Sequence, residues 1–576
     1  MKILIYMIFI LSYFRVNNAF TVSDYIINRL NKYKIKHIFG YPGGANLQFF
    51  EKLNKNSNIS VVISRHEQWS GHIAEGLSKF NQKLGVVIAT SGPGLTNLIT
   101  PLQDSLSDGV PLLCISGQVS TKVLGTDAFQ ECKATSLTKA CTKKNYLITK
   151  PEQIISVMDE AINLALTPRY GPVHIDICSD LFNKTINVIN MYPNLINTIR
   201  PISIKSNKLS NKKLNYVTNL INNSEKPVLI LGQGSYNAKN ELRKFVDDKK
   251  IPVTTTLHGL GIIDEHNSMS LKMHGMHGTA YANYAIQDSD LIIGIGNRFD
   301  DRTTGLLSKY APNCDKIIYV DNDNNRLKQI KKHLPHKVIT VNSDSKSFIK
   351  LIDKKVNDRV RYNWINKIMD LKMKYPLRKE SGMAASQVIL ELSKLLEYRK
   401  NFTISTGVGN HQMKLAQYMT WTEPKQMISS GSQGTMGVAL PFAIGAYYNN
   451  PNNDIFCFDG DGSFMMSAVE LATIKEYNIP IKIIIINDKS LQMVNMWQEI
   501  YYDKCKLGNS PKNPSFKKMA KGFGIKSISC SSPLTIKRAL KKVINSKEPI
   551  LCEFLIDKSW CTPFVGPGKA LDEMIL

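Results

Sequence analysis

The stretch that decides the fold runs from Ile455-Phe456-Cys457-Phe458 through Gly460-Asp461-Gly462-Ser463-Phe464 to Ile483-Ile484-Ile485-Ile486-Asn487-Asp488. It reads as an apolar strand, a Gly-Asp-Gly turn, a connecting segment and a second apolar strand ending on Asn-Asp. Strands this apolar are buried on both faces, as in a parallel sheet covered by helices. Parallel strands deliver their loop ends to one carboxyl edge, which is where α/β proteins bind ligands. Asp461 and Asp488, 27 positions apart, are thereby placed to bind one hard cation, while the glycines let backbone N–H groups approach phosphate oxygens. A Gly-Asp-Gly alone says little, because turns use it freely. The strand-bounded step to Asp488 makes the pattern specific.

The same alternation extends outward in both directions. His37-Ile38-Phe39, Val61-Val62-Ile63, Val86-Val87-Ile88 and Leu112-Leu113-Cys114-Ile115 read as buried strands, and Trp69, Ile73, Leu77 and Phe80 line one face of a helix after Glu67. The pattern repeats from Pro227-Val228-Leu229-Ile230 to Val320, and again from Phe402 to Phe554. Polar, irregular stretches near 184–212 and 353–383 separate the blocks, the second also carrying apolar residues. The expected fold is α/β, with three doubly wound parallel-sheet domains at 20–183, 205–355 and 380–576, the last with a C-terminal tail. A chain of 576 residues is too long for one core, in agreement.

Composition excludes several classes. With 43% hydrophobic, 21% charged and 9% aromatic residues, the chain is neither disordered, collagen-like nor a disulfide scaffold. The formal net charge of +26, from 73 Lys+Arg against 47 Asp+Glu, raises nucleic acid or an anionic membrane surface as a partner. The densest basic cluster is only Lys537-Arg538 with Lys541-Lys542, on one face of an expected helix, and no basic helix interleaved with aromatics occurs. No nucleic-acid partner is expected. The ten cysteines stand singly, without zinc-ligand spacing, and are expected to be reduced. Residues 3–14 form an apolar run between Lys2 and Arg15, too short for a comfortable membrane span and shaped like the core of a signal peptide. Residues 1–19 are read as a leader, and no stable membrane span is expected.

The Asp461–Asp488 pattern resembles the diphosphate and magnesium motif of thiamine-diphosphate enzymes. Such a site also needs a carboxyl group against the aminopyrimidine N1′, where holding a proton favours the imino form that removes the C2 proton. Glu67, in Arg65-His66-Glu67-Gln68 just past the strand at 61–63, is the candidate. On spacing alone, a glutamate capping the following helix is an equal reading.

After residue 20 the chain resembles, over essentially its whole length, the catalytic subunits of the acetohydroxyacid synthase (acetolactate synthase) family. The resemblance is carried by Phe39-Gly40-Tyr41-Pro42-Gly43-Gly44, His66-Glu67-Gln68, Thr90-Ser91-Gly92-Pro93-Gly94 and Gly125-Thr126-Asp127-Ala128-Phe129-Gln130-Glu131. It continues through Gly275-Met276-His277-Gly278, Arg298-Phe299-Asp300-Asp301-Arg302, Gly434-Thr435-Met436-Gly437 and Met493-Val494-Asn495-Met496-Trp497. It implies a pyrimidine-binding, a central FAD-binding and a diphosphate-binding domain, and a homodimer or dimer of dimers with active sites at the subunit interface. A regulatory small subunit is a possible partner.

By the same resemblance, Glu67 faces the pyrimidine N1′ and Met436 holds thiamine diphosphate bent. Asp461, Asp488 and the Ser490 main-chain oxygen hold Mg2+. Gly407, Asn410, His411, Gly434, Gly462, Ser463 and Met493 contact the cofactor. Structural FAD is assigned to Arg169, Gly232, Gly234, Thr256, Leu257, Met273, Gly275, His277, Gly294, Arg298, Asp321 and Asp323. No G-x-G-x-x-G fingerprint supports that assignment independently. Arg302 matches the group that binds the carboxylate of a second 2-oxo acid, and Phe129, Gln130, Met276 and Trp497 match the pocket around its alkyl chain. The implied reaction joins pyruvate, with loss of CO2, to pyruvate or 2-oxobutanoate. Arg302, Trp497 and Glu67 together argue against a glyoxylate carboligase or a pyruvate oxidase.

The sequence departs from the family pattern at several positions. Asp488 stands where most relatives carry Asn, Asn410 replaces Gln, Gln433 an apolar residue, Ser179 Lys, and Ser120 a Pro where the family's inhibitors bind. The leader suggests a plastid, with a mitochondrion or the cytoplasm as alternatives.

Overall fold

A computed structural model describes residues 19–56, 58–187, 209–334 and 337–576. The expected leader up to residue 18, and most of the polar stretch 184–212, lie outside them. The chain divides into two compact units. The first comprises residues 1–203 together with 444–450, the second 204–443 with 451–576.

The first unit holds one six-stranded sheet. Its strands are β1 His37–Gly40, β2 Ser60–Ile63, β3 Gly85–Ala89, β4 Leu112–Gln118, β5 Lys144–Ile148 and β6 Pro172–Cys178, in the order β2-β1-β3-β4-β6-β5. Helix α1, Glu67–Asn81, buries Trp69, Ile73 and Leu77 at the periodicity seen in the sequence. Strands β3, β4 and β6 are buried along their whole length, as expected of parallel strands covered on both faces. An antiparallel pair, Ala19–Thr21 with Thr185–Asn187, ties the two ends of this region together.

The second unit holds two further six-stranded sheets. The central one contains β7 Pro227–Leu231, β8 Val253–Thr255, β9 Ser270–Met273, β10 Leu291–Ile295, β11 Lys316–Asp321 and β12 Lys337–Asn342, ordered β9-β8-β7-β10-β11-β12. The last contains β13 Phe402–Thr406, β14 Met427–Ile428, β15 Asp454–Gly460, β16 Lys482–Asn487, β17 Lys526–Cys530 and β18 Ile550–Leu555, ordered β14-β13-β15-β16-β18-β17. Every pairing in the three sheets is parallel. The four isoleucines of β16 are at most 4% exposed, each contributing about 1.5–3 kcal/mol of apolar burial.

These orders position the ligand edges. The central sheet has the 3-2-1-4-5-6 order of dinucleotide-binding folds, with its switch point between β7 and β10. The first and last sheets share a second order, in which the chain reverses between their first and third strands, β1/β3 and β13/β15. At a switch point the loops leave for opposite faces and open a crevice.

Two readings of the sequence are refined. The stretch 353–383, expected to be irregular, contains the helix Tyr362–Lys374. Only Trp364 and Ile368 of that helix are buried, Trp364 donating its indole N–H to the Pro227 carbonyl at 3.1 Å. So narrow an apolar stripe among lysines and asparagines gives little periodic signal. The basic cluster lies on the helix Ile536–Ile544, whose Ile536, Ala539, Leu540, Val543 and Ile544 are buried. Lys537, Arg538, Lys541 and Lys542 form its solvated face.

Candidate active site

Strand β13 leads through Gly407-Val408-Gly409 into helix α2, Asn410–Tyr418. Strand β15 runs directly into helix α3, Asp461–Ser467, so Asp461 is the first residue of a helix. Strand β16 is followed by Asp488 and Ser490 and then helix α4, Gln492–Tyr501. Between these ends lies an open cleft of about 580 Å³ whose lining includes Asn410, His411, Met436, Asp461, Gly462, Ser463, Asp488, Ser490 and Met493.

Gly407 and Gly434 sit just behind this lining. A Cβ on Gly407 would fall 2.1 Å from Ser463 Oγ and 2.3 Å from Asp459 Oδ1, so only glycine permits this approach of the β13 and β15 loops. Ser463 Oγ accepts a hydrogen bond from the Gly437 N–H at 2.9 Å, joining the turn that carries Met436 to α3. His411 Nε2 lies 3.0 Å from the fully buried Asp459 Oδ1.

Asp461 is 2% exposed and accepts a hydrogen bond from Asn513 Nδ2 at 3.0 Å. Burial pushes its carboxyl up to about 6. Burial and then the charge of Asp461 push Asp488 up to about 7. Asp488 Oδ1 is sheltered from solvent and has no hydrogen-bond partner among the described residues. Two carboxylates, one with an unsatisfied oxygen, form a donor set that fits a hard divalent cation. Beside them, the glycine-lined start of α3 offers N–H groups suited to phosphate oxygens. The residues present fit magnesium and a diphosphate.

Helix α4 carries the site outward. Trp497, one turn beyond Met493, stands 6.0 Å from the Phe564 ring, and Phe564 stands 5.1 Å from His277. The Val565 N–H bonds the Met276 carbonyl at 2.8 Å, and Arg302 Nη1 donates to Met276 Sδ at 2.8 Å. The structure thus gathers Arg302, Met276 and Trp497, which lie up to 221 positions apart in the chain. Phe564 is the bridge among them that the sequence reading missed. Its only signal was an apolar pair in the tail. A thioether is a weak acceptor, and the exposed Arg302 guanidinium has besides it only a long, solvent-exposed ion pair to Asp301 at 3.9 Å, so it is not committed to a strong partner.

At the carboxyl edge of the central sheet lie Gly232 and Gly234 after β7, and Thr256 and Leu257 after β8. Met273, Gly275 and His277 lie at and after β9, Gly294 and Arg298 at and after β10, and Asp321 and Asp323 at and after β11. A Cβ on Gly232 would fall 2.3 Å from the Gly296 carbonyl oxygen, so the β7 and β10 loops meet at the switch point. The buried Asn297 amide beside them has neither of its polar atoms hydrogen-bonded among the described residues. Burial and then the charge of Arg302 push His277 down to about 4, and its Nδ1 has no hydrogen-bond partner among the described residues. Unsatisfied donors and acceptors along a dinucleotide-ordered edge fit a polar nucleotide such as FAD.

Four expected residues belong to the first unit. Glu67 is the first residue of α1 and accepts a hydrogen bond from Asn97 Nδ2 at 3.0 Å. The cap itself is His66, whose ring accepts from the Gln68 N–H, so the capping reading of Glu67 does not hold. Gln130 adopts φ 62° and lies against Gly92, in the turn after β3. Phe129 is 90% exposed, on a loop held by Glu131, which accepts from the N–H groups of Gly125 and Ala128. Arg169 donates to the Ser107 carbonyl.

Family models agree with this layout. The N-terminal thiamine pyrophosphate-binding domain matches residues 20–137, the central domain of these enzymes matches 214–352, and their C-terminal thiamine pyrophosphate-binding domain matches 407–554. The mitochondrial acetolactate synthase of Schizosaccharomyces pombe is 37% identical over 95% of this chain and 85% of its own length. The probable acetolactate synthase large subunit of Methanococcus aeolicus is 37% identical over 96% of this chain and 95% of its own. A chloroplastic acetolactate synthase of Nicotiana tabacum is 37% identical over 96% and 84%. With three thiamine pyrophosphate domains in order and this identity over nearly its full length, the chain belongs to the acetolactate synthase family of thiamine-pyrophosphate enzymes.

Proposed function

We propose that the chain is an acetolactate synthase. It joins the two-carbon unit left by decarboxylation of pyruvate to pyruvate or 2-oxobutanoate, giving 2-acetolactate or 2-aceto-2-hydroxybutanoate. This is the first common step towards valine, leucine and isoleucine. The observation that carries the reading is the path along α4, from the Asp461–Asp488 cleft to the cluster of Arg302, Met276 and Trp497.

When bound, thiamine diphosphate supplies the electron sink for decarboxylation. Asp461, Asp488 and the Ser490 carbonyl oxygen hold Mg2+, and Gly407, Asn410, His411, Gly434, Gly462, Ser463 and Met493 receive the diphosphate. Met436 props the cofactor and Glu67 holds a proton at N1′. Arg302 exchanges its thioether contact for the carboxylate of the second 2-oxo acid, since a charge-assisted bidentate pair is the stronger bond. Trp497, Met276, Phe129 and Gln130 wall its alkyl group. FAD, in a structural role, takes the edge of the central sheet with Arg298, His277 and Asp321.

The exposure of Phe129 suits a residue completed by a second subunit, supporting a homodimer or dimer of dimers. Relatives in fission yeast and tobacco are named mitochondrial and chloroplastic, and for this chain we infer an organelle, with a plastid favoured by the apolar leader. No helix among the described residues is long and apolar enough to cross a membrane. Purified protein given thiamine diphosphate, Mg2+, FAD and pyruvate forms 2-acetolactate and CO2 in equal amounts. Pyruvate left unconsumed, or consumed to another product, overturns the assignment.

A further inference from the structure

Helix α2 brings a lysine into the cleft. Lys414 lies three positions after His411 and is the only lysine or arginine among the described residues that line the cleft. Its side chain is 3% exposed. A buried ammonium is costly unless paired, and this one bonds Glu380 Oε1 at 2.8 Å and Ser559 Oγ at 2.6 Å. An ammonium has three N–H donors, so the described residues leave one to spare.

The surroundings show which way the charge acts. The Ser559 carbonyl accepts from Asn410 Nδ2 at 3.3 Å and from Gln492 Nε2 at 3.5 Å, so Lys414 is tied to the start of α2 and the start of α4 together. Lys414 and Asp488 line the same cleft. Two ionised carboxylates formally cancel a divalent cation, and the negative charge of a diphosphate must then be met by another group. Lys414 is the buried cation placed to meet it.

We propose that Lys414 is a further cofactor-binding residue, which offers its ammonium to the diphosphate and offsets the second carboxylate, Asp488, beside the metal. The proposal rests on reading this cleft as the thiamine diphosphate site. Burial strengthens a charge-assisted contact of this kind. A lysine serving only as the partner of Glu380 would stabilise the fold without affecting cofactor affinity.

The test is the dissociation constant of thiamine diphosphate at saturating Mg2+, measured by calorimetry on the full-length FAD-loaded protein. Lys414→Met is expected to weaken binding at least about tenfold, the scale of one hydrogen bond to a charged group. Lys414→Arg, which keeps the charge, stays within about fivefold on the same scale. Asp488→Asn added to Lys414→Met removes the charge in need of an offset and restores most of the loss. Glu380→Gln, which breaks only the ion pair, leaves affinity near wild type. Melting temperatures of the cofactor-free variants separate misfolding from lost binding. Tight wild-type binding matched by Lys414→Met overturns the role of the lysine alone, as does a Lys414→Met defect that Asp488→Asn leaves untouched. A wild-type protein that binds no thiamine diphosphate overturns the reading of the site, and this proposal with it.

Discussion

In the first sheet, β1 to β4 are followed by Tyr41-Pro42-Gly43-Gly44, His66-Glu67, Thr90-Ser91-Gly92 and Val119-Ser120. In the last sheet the corresponding strands β13 to β16 are followed by Gly407-Val408-Gly409, Gly434-Thr435-Met436, Asp461 and Asp488. The strand order is identical. Yet among these turns the first sheet presents one carboxylate held by an amide, Glu67 on Asn97, while the last presents two carboxylates and a glycine cradle. Wiring of the chain sets where a ligand edge lies, and the few residues after each strand set what it binds. On our reading the last sheet anchors the cofactor and the first activates it.

That division can be broken experimentally. The largest effect is expected at the anchor. Asp461→Ala removes a proposed metal ligand, and thiamine diphosphate affinity should fall about a hundredfold or more, two steps of about 1.4 kcal/mol, as read by calorimetry. Retained affinity would remove the anchor role from the last sheet. Next comes Glu67→Gln, which should lower kcat by about 10²–10⁴-fold, the range of a lost acid–base group, with affinity for the cofactor nearly unchanged. If affinity fell as far as kcat, the first sheet would be an anchor too.

Smaller effects probe the proposed acceptor pocket on α4. Trp497→Leu should shift the product ratio from 2-aceto-2-hydroxybutanoate towards 2-acetolactate by about tenfold, the scale of one methyl contact in an apolar pocket, in mixed-substrate assays. An unchanged ratio would place the alkyl group elsewhere. The smallest effect concerns Ser120, after β4. Ser120→Pro should sensitise the enzyme to sulfonylurea-type inhibitors while leaving kcat little changed. Matching dose-response curves for the two proteins would contradict this.

Much of this was legible because strand and helix periodicity are local. Ile483-Ile484-Ile485-Ile486 and the Trp69, Ile73, Leu77 face needed no neighbours to be read. Strand order is not local: no fingerprint announced the dinucleotide order of the central sheet, and nothing in the sequence marked its likeness in order between the first and last. The Asp461–Asp488 pair was legible because each residue directly follows an apolar strand. Phe564 and Lys414 were not. One joins the site from the C-terminal tail, and the other is a charged residue on a helix, which sequence alone assigns to solvent.

Exchange of the C2 proton of bound thiamine diphosphate with deuterated solvent tests the central claim most directly, because it isolates activation from binding and from substrate. With Mg2+ and FAD present, wild type should exchange fast. Glu67→Gln, fully loaded with cofactor, should exchange about a hundredfold or more slowly, in keeping with the loss of a positioned proton-transfer group. Equal exchange rates in the two loaded proteins would contradict the assignment of activation to the first sheet.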